Sequence, residues 1–257
     1  MSRRGLACTG LGLLILWQLG HWALHTNVLP SPLAVGEAFL AQLPRGLGWH
    51  VLVSAGRVLA AIALAVPTAA PLGILIGQNQ RWNQVLSPAI YLTYPVPKIV
   101  LLPIIMLFLG IGDPAKVFLI WLVLFYQMLV VVRDASSAVR PELVQSVYSL
   151  GASRWQLVRY VYFPACTPAI LTSLRVTTGT AIAVLFISES FATVSGLGYF
   201  IMVEAWGRMA YPEMYAGVVA MSLLGLSIYY VLDQLEKRAC EWVNPQASPS
   251  QPIGAGS

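Results

Sequence analysis

Six runs of nearly unbroken apolar residues constrain this chain more than any other feature: Leu6–Leu24, Val51–Gly77, Leu86–Leu109, Val117–Val132, Ala165–Ser188 and Met214–Leu232. A helix rises about 1.5 Å per residue, so about 20 such residues cross about 30 Å of hydrocarbon. Barrel strands would instead alternate apolar and polar over about ten residues. Inside lipid every backbone N–H and C=O needs a partner, and a helix supplies one within its own segment. Charged residues make up only 10% of the chain, against about 25% in an ordinary soluble domain. These features predict an all-α membrane protein with six spans. Residues 1–243 read as a single transmembrane domain. The Pro/Ser/Gly-rich tail, residues 244–257, reads as disordered. The first run follows Arg3 and Arg4 and lacks a small-x-small cleavage site, so it reads as an uncleaved span.

Six spans put both ends on one side. With the N-terminus inside, the inner segments hold nine basic residues: Arg3, Arg4, Arg81, Arg133, Arg140, Arg154, Arg159, Lys237 and Arg238. The outer segments hold three, Arg45, Lys116 and Arg208. Basic residues collect on the cytoplasmic side, so both termini are expected there. The net charge of +5 is accounted for by this orientation, with no nucleic-acid partner implied. Ala34–Leu43, in the outer segment, has helical spacing suited to lying on the interface. Cys8, Cys166 and Cys240 lie too far apart for a CxxC pairing, and no metal cage or disulfide framework is expected. His21 and His25 share the i, i+4 spacing of a ligand pair, but no third ligand is near and they read as interfacial.

Between the fourth and fifth runs lies VQSVYSLGASRWQLVRYVYFP, Val144–Pro164, within a cytoplasmic loop of about residues 134–164. Pro141 suits a first helical turn. Leu143, Val144, Val147, Tyr148 and Leu150 form one apolar face. Gly151 can end that helix in the left-handed conformation. Ser153 and Gln156 have capping-box spacing, so a second helix starts at Ser153, with Trp155, Val158 and Tyr162 as its apolar stripe. Pro164 is expected to end it or kink it into the fifth span. The piece is a helix–turn–helix elbow. One reading has it resting on lipid headgroups. The other makes it a knob that docks into a cytoplasmic partner, with Arg154 and Trp155 as anchors.

Charges within the spans are costly and thus functional candidates. Arg57 lies near the outer end of the second run, Arg175 near mid-depth in the fifth, and Glu189 at its outer end. Arg57 and Glu189 share a depth and suit an inter-helix pair. The alternative is a place on a translocation path, where guanidinium groups lower the barrier to small anions. Lys98 follows the break YPVPK, Tyr94–Lys98. Irregular backbone at that depth needs cover from protein or a cavity, so this third run is expected inside the bundle, beside the path.

The chain has no GxxxxGK[ST] phosphate loop, nucleophile elbow, HExxH or dinucleotide fingerprint. It is expected to be no enzyme and to need no cofactor. A transporter without a fuel site uses an ion gradient or borrows an engine. A gradient-driven carrier would need inverted repeats and a midplane acid pair, and neither is visible. A non-transporting scaffold is the third class.

The elbow resembles the cytoplasmic loop of permease subunits of binding-protein-dependent ABC importers, written EAA, three residues, Gly, nine residues, Ile-x-Leu-Pro. Here Gln145-Ser146-Val147 stands for the EAA triplet, Gly151 and Pro164 match, and Val161 and Phe163 are apolar replacements. Further pieces resemble the nitrate/sulfonate/taurine branch of that family. They are LPSP (Leu29–Pro32), the S-x-x-R-V span Ser54–Gly77, the Pro-rich span ending in GIGD (Tyr94–Lys116), LGASRWQ, and Glu189 followed by SGLGYFI (Ser195–Ile201). The resemblance implies a six-span, type I importer bundle in a bacterial inner membrane. It implies a homodimer, two cytoplasmic ATP-binding subunits and an external solute-binding protein as partners. It also implies an ATPase-coupling site at Gln145, Ser146, Val147, Gly151, Ala152, Ser153, Arg154, Trp155 and Pro164.

Overall fold

The computed structural model describes residues 3–243, and the tail expected to be disordered lies outside them. The described residues are helical or in short connections, with no strand among them. In order, the helices are α1 (Arg3–Leu24), α2 (Pro32–Gln42), α3 (Gly48–Gln78), α4 (Gln80–Thr93), α5 (Leu102–Leu109), α6 (Asp113–Ser137), α7 (Pro141–Ser149), α8 (Arg154–Leu157), α9 (Phe163–Ser190), α10 (Leu197–Tyr199) and α11 (Tyr211–Ala239). The helix expected over Ala34–Leu43 forms as α2. It starts where Ser31 caps it, its Oγ accepting from the Ala34 N–H at 3.2 Å, with Pro32 in the first turn.

Among the described residues, four segments are long and apolar enough to cross a membrane: Pro32–Gln78, Asp113–Ser137, Arg154–Ser190 and Tyr211–Ala239. The pair Gln80–Thr93 and Lys98–Leu109, bent by 78°, makes a fifth if it is one span. The first expected span is the shorter apolar helix Cys8–Leu24.

The chain divides into two compact units. One comprises Met1–Ala63, Pro97–Val123 and Gly179–Ser227. Within it the Trp17 Nε1–H donates to the Pro30 carbonyl at 3.0 Å, and His21 Nδ1 lies 2.6 Å from the Leu29 carbonyl, so α1 holds the chain leading into α2. The other comprises Leu64–Val96, Leu124–Thr178 and Ile228–Ser257. Here α3 meets α6 through small residues. A Cβ at Gly73 would stand 2.9 Å from Val132 Cβ, and one at Gly77 would stand 2.6 Å from Ser136 Cβ. Close helix packing in lipid uses such small-xxx-small spacing, and Ser136 Oγ uses the approach to donate to the Ile74 carbonyl at 3.0 Å.

Two expectations are narrowed. Of an end or a kink at Pro164, the end does not occur, because Arg154–Ser190 runs on through it. Just before it, Val158–Tyr162 forms a wide π turn in which the Phe163 N–H bonds the Val158 carbonyl. The altered register accommodates a residue that has no N–H and crowds the preceding turn. The break at Tyr94–Pro97 is not inside the bundle of this chain, since residues 91–97 are all exposed.

Candidate functional site

The elbow forms as its caps dictate. After α7, Gly151 takes φ +84° and its N–H bonds the Tyr148 carbonyl at 3.0 Å. Only glycine adopts that conformation at little cost. Ser153 then caps α8. Its Oγ accepts from the Gln156 N–H at 3.3 Å, and Gln156 Oε1 accepts from the Ser153 N–H at 2.7 Å. Both arms of the capping box are made. Ser146 and Ser149 bond back to carbonyls one turn earlier within α7.

The exposure pattern separates anchors from base. Leu157 and Tyr162 are buried, and Val144, Val147, Ala152 and Val158 are half-buried. Gln145, Ser146, Ser153, Arg154 and Pro164 are exposed. Trp155, expected in the apolar stripe, is instead 70% exposed, and Leu150 at the tip is 87% exposed. One helical turn holds both Trp155 and Leu157, and the one that seats against the rest of this unit is Leu157. The elbow thus presents Tyr148, Leu150, Arg154 and Trp155 outward on a rigidly capped frame.

In the same unit Arg175 is paired with α11. Its Nη1 donates to Asp233 Oδ1 at 2.8 Å, and its Nε lies 3.3 Å from Glu236 Oε2 without hydrogen-bond alignment. Lys237 Nζ reaches Asp233 Oδ2 at 2.5 Å, and Thr172 Oγ1 donates to Glu236 Oε1 at 2.7 Å. Asp233 and Glu236 occupy the last two turns of α11, so Arg175 pairs nearer a helix end than its place in the fifth run suggested. The sixth apolar run stops at Leu232, and these carboxylates lie just beyond it, outside the residues that hydropathy singles out. Their i, i+3 spacing was the available signal. Arg133, counted from sequence among the inner-segment basic residues, is also buried, bonded to Asp134, Ser87 and Tyr91, with its guanidinium 5.0 Å from the Tyr91 ring centroid.

The other unit contains a closed ionic clamp. Arg57 Nη1 donates to Glu189 Oε1 at 2.6 Å and to the Ser195 carbonyl at 2.9 Å. Its Nε and Nη2 donate to Asp113 Oδ1 at 2.9 and 2.5 Å. Ser54 lies one turn before Arg57 on α3, so S-x-x-R spacing puts both on one face. Ser54 Oγ stands 2.9 and 2.8 Å from the two Glu189 oxygens and shares its proton with them. The loop after α9 folds onto this group through three successive N–H donors. Gly196 donates to His50 Nδ1 at 3.0 Å, Leu197 to Ser54 Oγ at 2.8 Å and Gly198 to Glu189 Oε2 at 3.0 Å. Gly196 sits at φ +112°, and a Cβ there would stand 2.6 Å from Arg57 Nη1, so no larger residue fits. Arg57 and Glu189 are 4% and 0% exposed, while the Asp113 side chain is 67% exposed. Lys116, read as an outer-loop charge, is buried within electrostatic reach of Asp113 and Glu189. It lies in the first turn of α6, three residues after Asp113, and that one turn carries it inward.

Residues 69–239 match the family described as binding-protein-dependent transport system inner membrane component. The chain belongs to this family. It is 31% identical over 221 residues to the taurine transport system permease protein TauC of Escherichia coli (strain K12), covering 83% of this chain and 80% of that protein. It is 30% identical over 243 residues to the riboflavin transport system permease protein RibX of Chloroflexus aurantiacus, covering 93% and 90%. The fold is shared with the MetNI methionine ABC transporter, known in inward-facing conformations, with a TM-score of 0.61 at 17% identity over 75% of this chain and 95% of that one. This permease is therefore a multi-pass membrane component of an ABC importer with the type I permease fold.

Proposed function

We propose that this permease moves a small anionic solute of the taurine or sulfonate kind from an external binding protein into the cytoplasm, using ATP hydrolysed by a separate pair of subunits. Two copies of the chain enclose the path, each with six spans and both termini in the cytoplasm. The observation that carries the reading is the capped elbow: a rigid turn at Gly151 that exposes Leu150 and Trp155 outside the apolar spans. Large exposed apolar and aromatic residues on a fixed frame suit an interface. Closure of the ATPase subunits would move the elbow, and α8 passes without a break into α9 and to Arg175. Relatives are named for taurine, aliphatic sulfonate, riboflavin and formylaminopyrimidine transport, so the anion is our reading of the taurine and sulfonate members.

The elbow residues Gln145 to Trp155 form the ATPase contact in this proposal, with Pro164 setting the angle at which α9 leaves it. Leu150→Asp is expected to cut co-purification of the ATPase about tenfold or more, as loss of an interface anchor does, with the permease's own abundance unchanged. Full retention of the ATPase would remove the elbow from the interface.

Of the three intramembrane charges proposed for the path, Arg175 is the accessible one, with 26% of its side chain exposed. It lines the path, and its bond to Asp233 couples α9 to α11. Arg57 and Glu189, shielded by their own partners, serve the path by holding the helices that bound it. Arg175→Ala is expected to lower uptake per permease molecule in the membrane. Unchanged uptake per molecule with reduced abundance would assign Arg175 a purely structural part.

A further inference from the structure

The loop after α9 is held to α3 by an acceptor that can be lost. Of its three successive N–H donors, the first, Gly196, goes to an imidazole, His50 Nδ1, at 3.0 Å. A ring nitrogen that accepts carries no proton, so this bond puts the proton of the neutral ring on Nε2. Nε2 lies 3.5 Å from Glu204 Oε1. The ring is buried, with the Tyr199 and Phe200 rings tilted against it at 5.9 and 5.7 Å between centroids. Gly196 is buried as well.

A second proton can enter only at Nδ1, the atom that holds the loop. An imidazolium has two N–H donors and no acceptor. It would set an N–H against the Gly196 N–H, while its Nε2–H gains a charge-assisted bond to Glu204. The ring thus has two exclusive partners, the loop when neutral and Glu204 when charged. The other charges nearby leave that choice open. Arg57 and Glu189 border Gly196 but are paired with each other. Arg208 is bonded to Glu213 and to the Glu204 carbonyl, and with Arg45 it borders the cavity that Glu204 and Tyr199 also line.

We propose that His50 is an acid-sensitive latch: protonation at Nδ1 ejects the Gly196 N–H and frees the Gly196–Gly198 segment from α3. The next two donors in that segment, the N–H groups of Leu197 and Gly198, serve Ser54 Oγ and Glu189 Oε2. Release at Gly196 therefore loosens the cover of the ionic clamp. The docked loop needs a bare Nδ1 and binds fewer protons than the released one. Docking is complete above the range in which histidine changes charge, about pH 5 to 8, and is lost as pH falls through it. The latch needs no partner subunit to act, so its test is independent of the transport reading.

The test uses the full chain in detergent with the exposed Cys8 replaced by serine and the buried Cys166 and Cys240 left in place. Leu197, fully buried, is changed to cysteine, and Val194→Cys, at a position 84% exposed in the same loop, gives a reference thiol. The ratio of their maleimide labelling rates at one pH removes the pH dependence common to thiols. That ratio is expected to rise severalfold from about pH 7.5 to about pH 5.5. In His50→Asn, whose Oδ1 can accept from Gly196 without titrating, it should stay low at both pH values. Glu204→Gln takes away the partner of the charged ring and should shift the rise to lower pH. A ratio that does not change with pH in the protein carrying His50 overturns the proposal, and so does an equal rise in His50→Asn. If His50→Asn does not accumulate, Glu204→Gln decides, and a rise at unchanged pH overturns it.

Discussion

Glu189→Ala is expected to be the most damaging single replacement in this permease, lowering its thermal stability in detergent and its abundance in the membrane. The substitution takes one carboxylate from a fully buried pair, leaves the Ser54 hydroxyl and the Gly198 N–H without their acceptor, and leaves Arg57 Nη1 with only the Ser195 carbonyl. Removing one partner of a buried ion pair costs about 3–5 kcal/mol. Asp113 still neutralises part of the Arg57 charge, which puts the expected loss at the lower end, about 3 kcal/mol. Glu189→Gln keeps an acceptor for Gly198 and should fall between. The double variant Arg57→Met/Glu189→Leu removes both desolvated charges and should be more stable than Glu189→Ala alone. A double-mutant cycle on Arg57 and Glu189, read by thermal aggregation in detergent, measures the coupling. If Glu189→Ala melts and accumulates like the wild type, the clamp does not hold this unit together.

Gly151→Val is expected to abolish most of the transport while sparing the spans. A residue at φ +84° with a branched side chain pays a left-handed penalty of about 1–2 kcal/mol or more. The penalty falls on the turn that orients α7 against α8. A Cβ at Gly151 meets nothing within 4 Å, so the effect is conformational and not a clash. Gly151→Ala and Gly151→Asn therefore form a graded series, with Asn the best tolerated because it enters this region more readily. ATP-dependent uptake and ATPase co-purification should follow the order Gly, Asn, Ala, Val. Equal activity across the series would mean that the turn can be remodelled without loss.

Legibility from sequence tracked how local the determinant was. The elbow was readable because proline at a first turn, glycine at a helix end and S-x-x-Q at a helix start each act within four residues. The spans were readable because lipid imposes one composition along a whole helix. Arg57 and Glu189 could be paired by depth, but Asp113 and the Ser195–Gly198 loop enter the clamp through tertiary packing that no spacing announces. Lys116 and Arg133, counted from sequence among the basic residues of the outer and inner segments, are buried for the same reason. A charge at a span's edge is compatible with headgroups or with a buried acid, and only the neighbouring helices decide. Trp155 shows the converse: periodicity placed it on an apolar face, while packing chose Leu157 and left the indole outside. The break at Pro95 was visible as missing donors, but its exposure depended on which helices this chain supplies.

On the function proposed above, this subunit does no energetic work alone and is driven through the Gly151 elbow by a separate ATPase. The direct measurement is solute accumulation in sealed vesicles holding the permease with or without its ATPase, with the loaded binding protein outside and ATP or an ion gradient as the only energy source. Accumulation is expected only with the ATPase and ATP present, and is expected to be lost with Gly151→Val. Accumulation by the permease alone on a proton or sodium gradient would contradict it.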